Sequence, residues 1–130
     1  MAYLNESAET LLATVDEIDL NDETQTTLYT VPIGKKAILT KAILHTLSDD
    51  SSSLVLSIGR NGAVTDFLGA QTTAACNDAG SVGVLAPVPN ATTVEHFEYA
   101  AAVVIEVDVA TAAGEACTGS ISLFGILIDV

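Results

Sequence analysis

The sequence predicts an all-β domain, an antiparallel β-sandwich of jelly-roll type. Three observations carry this. Apolar residues alternate with polar ones in short runs, as in Val103, Ile105, Val107 and Val109 against Glu106 and Asp108, and period-two alternation marks a half-buried strand. Turn signals such as Pro32 with Gly34, and Asn61 with Gly62, punctuate the runs. The chain is 49% hydrophobic yet only 5% aromatic, with no Trp, so its core is built from Val, Ile, Leu and Ala, which suits thin stacked sheets. At 130 residues it is one domain, and a chain of this size buries roughly two-thirds of its unfolded surface without needing staples.

Residues 1–13 read as an N-terminal arm or short helix, because Leu4, Ala8, Leu11, Leu12 and Val15 recur near helical spacing and Asn5 is a capping residue. Tyr3, Leu4, Leu11 and Leu12 either dock on the domain's own core or are offered to a neighbour, the second being preferred. Deleting Ala2 to Leu12 is then expected to spare the fold. The sandwich occupies residues 14–130.

Thr14 to Leu20 reads as a half-exposed edge strand, and Asn21 to Gln25 turns the chain into a strand over Thr26 to Val31. Pro32 lacks a ladder donor and Gly34 takes the positive φ of a tight corner. Lys36 to Leu47 carries Ala, Ile and Leu on both parities, which predicts a strand buried on most of both faces. Ser48 to Ser52 is a turn whose Asp pair bonds its own backbone. Leu54 to Ile58 and Ala63 to Ala70 form a hairpin about Asn61 and Gly62. Gln71 to Ser81 is a polar loop, and Val82 to Val88 a strand ended by prolines. Ala101 to Val109 has one core face and one water face, so Ile105→Asp should be severe and Glu106→Gln nearly neutral. After a loop over Thr111 to Gly119, Ile121 to Val130 is apolar on both parities: Phe124, Ile126 and Ile128 on one, Ile121, Leu123 and Leu127 on the other. Such a strand lies centrally in a sheet or under a neighbouring subunit.

Seventeen acidic residues against four basic ones give a formal charge of −13, which opposes any phosphate backbone, so nucleic acid is not an expected partner. Lys35, Lys36, Lys41 and Arg60 fall in one segment, which is either a solvated turn region or a face for an acidic neighbour. No basic and apolar leader opens the chain, and no apolar run approaches the ~18 residues of a membrane span. The chain is therefore expected to be made in a cytoplasm and to have no membrane partner. Cys76 and Cys117 match no zinc spacing; they read as free thiols, with a disulfide as the alternative.

No catalytic, metal or cofactor residues are predicted. His45 and His96 lack a flagged nucleophile or orienting acid. The Pro32–Gly34 corner is reminiscent of cupins, yet no second His stands two residues from His45. The carboxylate neighbours Asp16 with Glu17, Asp22 with Glu23 and Asp49 with Asp50 invite a glycosidase reading, but adjacent strand residues point to opposite faces. Gly59 to Gly62 is a hairpin turn, not a phosphate loop.

Tyr29, Val31, Pro32, Gly34 and Lys35 before a long strand, with Gly125 inside an apolar final strand, make the chain from Leu20 onward resemble small β-sandwich structural proteins of tailed bacteriophages. The resemblance implies a virion component, best matched by a capsid decoration or cement protein. Such a protein sits on the outer capsid surface as a small homo-oligomer, often a trimer, and binds the major capsid protein. A tail, neck or fibre component is the first alternative and a glycan-binding module the second, although few aromatic platforms are available for sugars; a metal-free enzyme comes last. The residues expected at a subunit or capsid interface are Tyr3, Leu4, Leu11, Leu12, Lys35, Lys36 and Lys41.

Overall fold

The computed structural model describes residues 8–86 and 98–130. Among them run nine strands and no helix: β1 (Thr10–Asp19), β2 (Gln25–Thr30), β3 (Lys35–His45), β4 (Val55–Arg60), β5 (Ala63–Thr72), β6 (Gly83–Leu85), β7 (Glu98–Tyr99), β8 (Val104–Thr111) and β9 (Thr118–Asp129). Every pairing is antiparallel. The first sheet has the order β1-β9-β3-β6, with β7 also on β3, and the second has the order β2-β8-β4-β5. With the two-residue β7 set aside, this is a β-sandwich of two four-stranded antiparallel sheets.

The first correction concerns the arm. Thr10 pairs with Gly125 and Leu11 with Phe124, so residues 10–13 are strand rather than arm or helix, and a deletion reaching Leu12 cuts into β1. Local helical spacing loses here because β9, apolar on both parities, supplies a complete ladder partner. The part of the arm over residues 1–7, with Tyr3 and Leu4, lies outside the described residues, as do His96 and the prolines expected to end the sixth strand.

A bulge explains why β3 reads as two-faced. Leu39 pairs with Gly125 and Lys41 with Phe124, leaving Thr40 as the extra residue; a bulge of this kind flips the parity of everything after it. Ala37 and Leu39 before it, and Ala42 and Leu44 after it, all point into the core. Lys36, Ile38, Lys41, Ile43 and His45 are only half-buried, so one face of β3 is core, not two. Gly125 sits opposite the bulge because nothing larger fits: a Cβ there would lie 2.5 Å from the Ile38 carbonyl oxygen and 2.9 Å from Leu12 Cδ1.

The core fills the space between the sheets. Ile121 and Leu123 of β9 and Ala42 and Leu44 of β3 meet Leu56 and Ile58 of β4 and Ile105, Val107 and Val109 of β8. The Pro32–Gly34 corner forms as expected, with Gly34 at φ +83° and the Lys35 N–H donating to the Pro32 carbonyl at 3.2 Å. The Ala101–Val109 run is not one strand, because Ala102 takes φ +68° and pairs by backbone with Val31 before β8 starts at Val104. Glu106, expected in water, is 8% exposed and stands opposite Gly59 in the ladder. Parity places a residue on the outer face of a sheet, yet it does not say whether that face is wet.

Candidate docking surface

The outer face of the first sheet is where the strands bring unlike predicted residues together. Since Ile121 and Leu123 point inward, the even-numbered residues of β9 point outward, and the register lays them against β1, β3, β6 and β7. Thr14, Ser122, Ile43 and Val84 form one cross-strand row, and Leu11, Phe124 and Lys41 the next. Ile126, Ile38 and Glu98 follow, then Ile128 with Lys36. Cross-strand neighbours stand about 4.5–5.5 Å apart, so these rows make a largely apolar face interrupted by polar and charged side chains. Phe124, Ile126, Ile128, Ile38 and Ile43 are half-buried, Leu11 is 51% exposed and Val84 66% exposed.

Two lysines are set into this patch. Lys41 Nζ lies 5.1 Å from the Phe124 ring centroid and 3.4 Å from Glu9 Oε1, a position in which the ring's negative face attracts the ammonium. Lys36 Nζ is 3.9 Å from Glu98 Oε1. Lys35 differs: it sits at the strand's end, pairs with Asp129, and has the parity of Ala37 rather than of the outward rows. Of the residues expected at an interface, the structure thus assembles Leu11, Lys36 and Lys41 on one face. Leu12, the bulged residue of β1, packs against the core instead. Phe124, Ile126, Ile38, Ile43 and Val84 complete the face. The two-sided apolar pattern of β9 was their signal, but which strands flank β9 was not written locally.

Beyond the apolar rows the same face becomes polar. His45 Nε2 lies 2.9 Å from Ser122 Oγ, which is 3.0 Å from Thr14 Oγ1, and Ser120 Oγ donates to Asp16 Oδ1 at 2.8 Å. A serine beside a histidine invites comparison with a hydrolase. The orienting partner is wrong, since His45 Nδ1 faces the Thr46 hydroxyl at 2.9 Å rather than a carboxylate.

Buried polar groups elsewhere are structural ties. Tyr99 on β7 donates its hydroxyl across the sandwich to Asp66 Oδ1 on β5 at 2.8 Å, and Arg60 Nε stands 2.8 Å from Asp66 Oδ2. Burial, reinforced by the Asp66 carboxylate, pushes the Tyr99 phenol far above its usual range. Cys76 and Cys117 are both free and buried, and burial raises the Cys76 thiol. Cys76 lines an open cleft of about 250 Å³ with Thr73, Val82 and Val84. No group of three metal-ligating side chains occurs among the described residues, nor is any helix there long and apolar enough to cross a membrane.

No protein-family model matches the chain, and no curated protein does. Two solved structures share the fold. The first, from the cyanophage Pam1 capsid asymmetric unit, is 19% identical with a TM-score of 0.53, covering 92% of this chain and 83% of its own. The second, from the acidic stable capsid of the Helicobacter pylori bacteriophage KHP30, is 16% identical with a TM-score of 0.59, covering 95% of both chains. Both are chains of phage capsid structures. At this identity the likeness is one of fold, and it runs over almost the whole sandwich.

Proposed function

We propose that this protein is a structural component of a tailed-phage virion, a decoration protein that binds the outer surface of the capsid and stabilises the assembled shell. The observation that carries the reading is the near end-to-end match to chains of two phage capsids. The charge of −13 supports a position away from packaged nucleic acid, and an apolar patch on a small sandwich supports docking on another protein. The mechanism is mass action without a catalytic step or cofactor. A ligand that binds only the assembled state stabilises it by RT ln(1 + [L]/Kd), about 2.7 kcal/mol at a hundredfold excess over Kd. The major capsid protein is the partner, and a small homo-oligomer such as a trimer is the binding unit.

The test is to assemble shells of the same phage without this protein and add it back. Co-sedimentation with the shells, together with a higher shell melting temperature, is expected. Antibody labelling confined to the tail of intact virions would assign the protein to a tail, neck or fibre instead.

A further inference from the structure

We propose that the outer face of the first sheet is the shell-facing surface, and that its occupant is an apolar patch bordered by carboxylates on the major shell protein; this rests on the decoration reading above. Leu11, Phe124, Ile126, Ile38, Ile43 and Val84 supply the apolar contact. Lys36 and Lys41 supply the charge code. They are two of only four basic residues in a chain of charge −13, and both rise from the apolar rows rather than from loops.

Their contacts leave room for more. Each ammonium carries three donors, and the carboxylates already beside them stand at 3.9 Å and 3.4 Å, with the lysine side chains 44% and 39% exposed. A partner carboxylate is taken up without breaking the first contact. On this face Glu98 and Glu9 offset Lys36 and Lys41, so an acidic partner meets less repulsion here than the net charge of −13 implies.

The same facts argue against a second copy as the occupant. Two identical faces packed about a two-fold axis oppose lysines whose carboxylate neighbours, Glu98 and Glu9, are already engaged on each copy, so a second copy brings no unengaged carboxylate to either lysine. Carboxylates on a different protein satisfy both lysines at once.

The experiment compares three full-length variants with the wild type for binding to shells lacking the protein, at low and high salt. Lys36→Gln with Lys41→Gln removes two positive charges from the face. Gln25→Glu with Thr30→Glu adds two negative charges at exposed positions of the second sheet, making the same change in net charge. Phe124→Ser removes the central apolar group, and thermal melts identify any variant that fails to fold. The lysine pair is expected to weaken binding about tenfold at low salt and less at high salt, as loss of interfacial charge does. The Phe124 variant should weaken it at both salts, and the second-sheet pair should leave it nearly unchanged.

Unaltered binding by the folded lysine pair, or equal loss from both charge-matched pairs, overturns the assignment of this face while leaving the decoration role intact. Absence of wild-type binding sinks the decoration role itself, and the assignment with it. A wild-type mass in solution above that of a monomer, reduced to monomer by Phe124→Ser, shows a second copy on the face and also overturns the assignment.

Discussion

The outer faces of the two sheets are made by the same alternation and turn out opposite in chemistry. On the first sheet the outward rows are mostly leucine, phenylalanine, isoleucine and valine, with Lys36, Lys41, Glu98, Thr14 and Ser122 among them. On the second, Gln25, Asp108 and Ser57 form one outward row and Thr27, Glu106 and Gly59 the next, polar or small at every position even though Ser57, Gly59 and Glu106 are buried. Period two tells which residues enter the core; the identity of those left outside then separates a surface finished with polar groups from one that awaits a partner.

The sharpest way to break this contrast is one substitution made on both sides of the core. Ile105→Asp on β8 buries a charge at a fully buried position and is expected to abolish cooperative unfolding, while Ile126→Asp on the outward row of β9 should leave a folded protein. Comparable losses in urea titrations would mean the outward row of the first sheet is core. Gly125→Ala comes next, with a loss of about 1–3 kcal/mol as in other overpacked interiors, because its Cβ meets the Ile38 carbonyl oxygen at 2.5 Å and backbone cannot step aside. A wild-type melting curve for that variant would show that β3 and β9 have slack at the bulge.

Tyr99→Phe cuts a tie between the sheets and should cost about 1–3 kcal/mol, since Asp66 keeps its burial and loses a donor. The sign with pH follows from the raised phenol. Its folded pKa lies above the ordinary 10.0, so the stabilisation is complete below that pH and declines as pH climbs through the alkaline range. The Phe variant should therefore show a flatter alkaline limb of stability than the wild type; identical limbs would place the alkaline transition on other groups. Glu106→Gln should have a smaller effect with the opposite sign, a gain of about 1 kcal/mol, because Oε1 is buried without a hydrogen-bond partner among the described residues and Asn61 reaches only Oε2, at 3.5 Å. A clear loss in chemical denaturation would reveal a partner that the carboxylate needs. Leu11→Ser is the smallest, within about 0.5 kcal/mol for the isolated protein as is usual at exposed sites; a larger drop would make Leu11 part of the domain's own packing.

Most of the architecture was legible in local pattern. The hairpin at Asn61 and Gly62, the corner at Pro32 and Gly34, and the core parity of Ile105, Val107 and Val109 follow from turn chemistry and alternation. What local pattern hid was non-local. The start of β1 depends on β9, which lies more than a hundred residues away in the chain, and helical spacing at Leu11 and Leu12 gave no hint of it. The bulge at Thr40 looked like two-sided burial because a parity flip and a strand apolar on both faces write the same letters. Lys36 and Lys41 were legible as a candidate interface from charge alone, whereas Ile38, Ile126 and Val84 became their companions only once register placed three strands side by side.

The position of β9 has a consequence for how the chain acquires its structure. β9 lies between β1 and β3 and is the last of the described strands in chain order, so as the polypeptide emerges, β1 and β3 hold open ladder edges with a strand-wide gap between them. The first sheet forms only when its latest piece arrives. Long-range pairing of this kind is slow, and exposed edges are prone to pairing with other chains in the interval. A fragment ending before Thr118 should therefore aggregate rather than fold, and the face that carries the lysines comes into being as the closing event of folding.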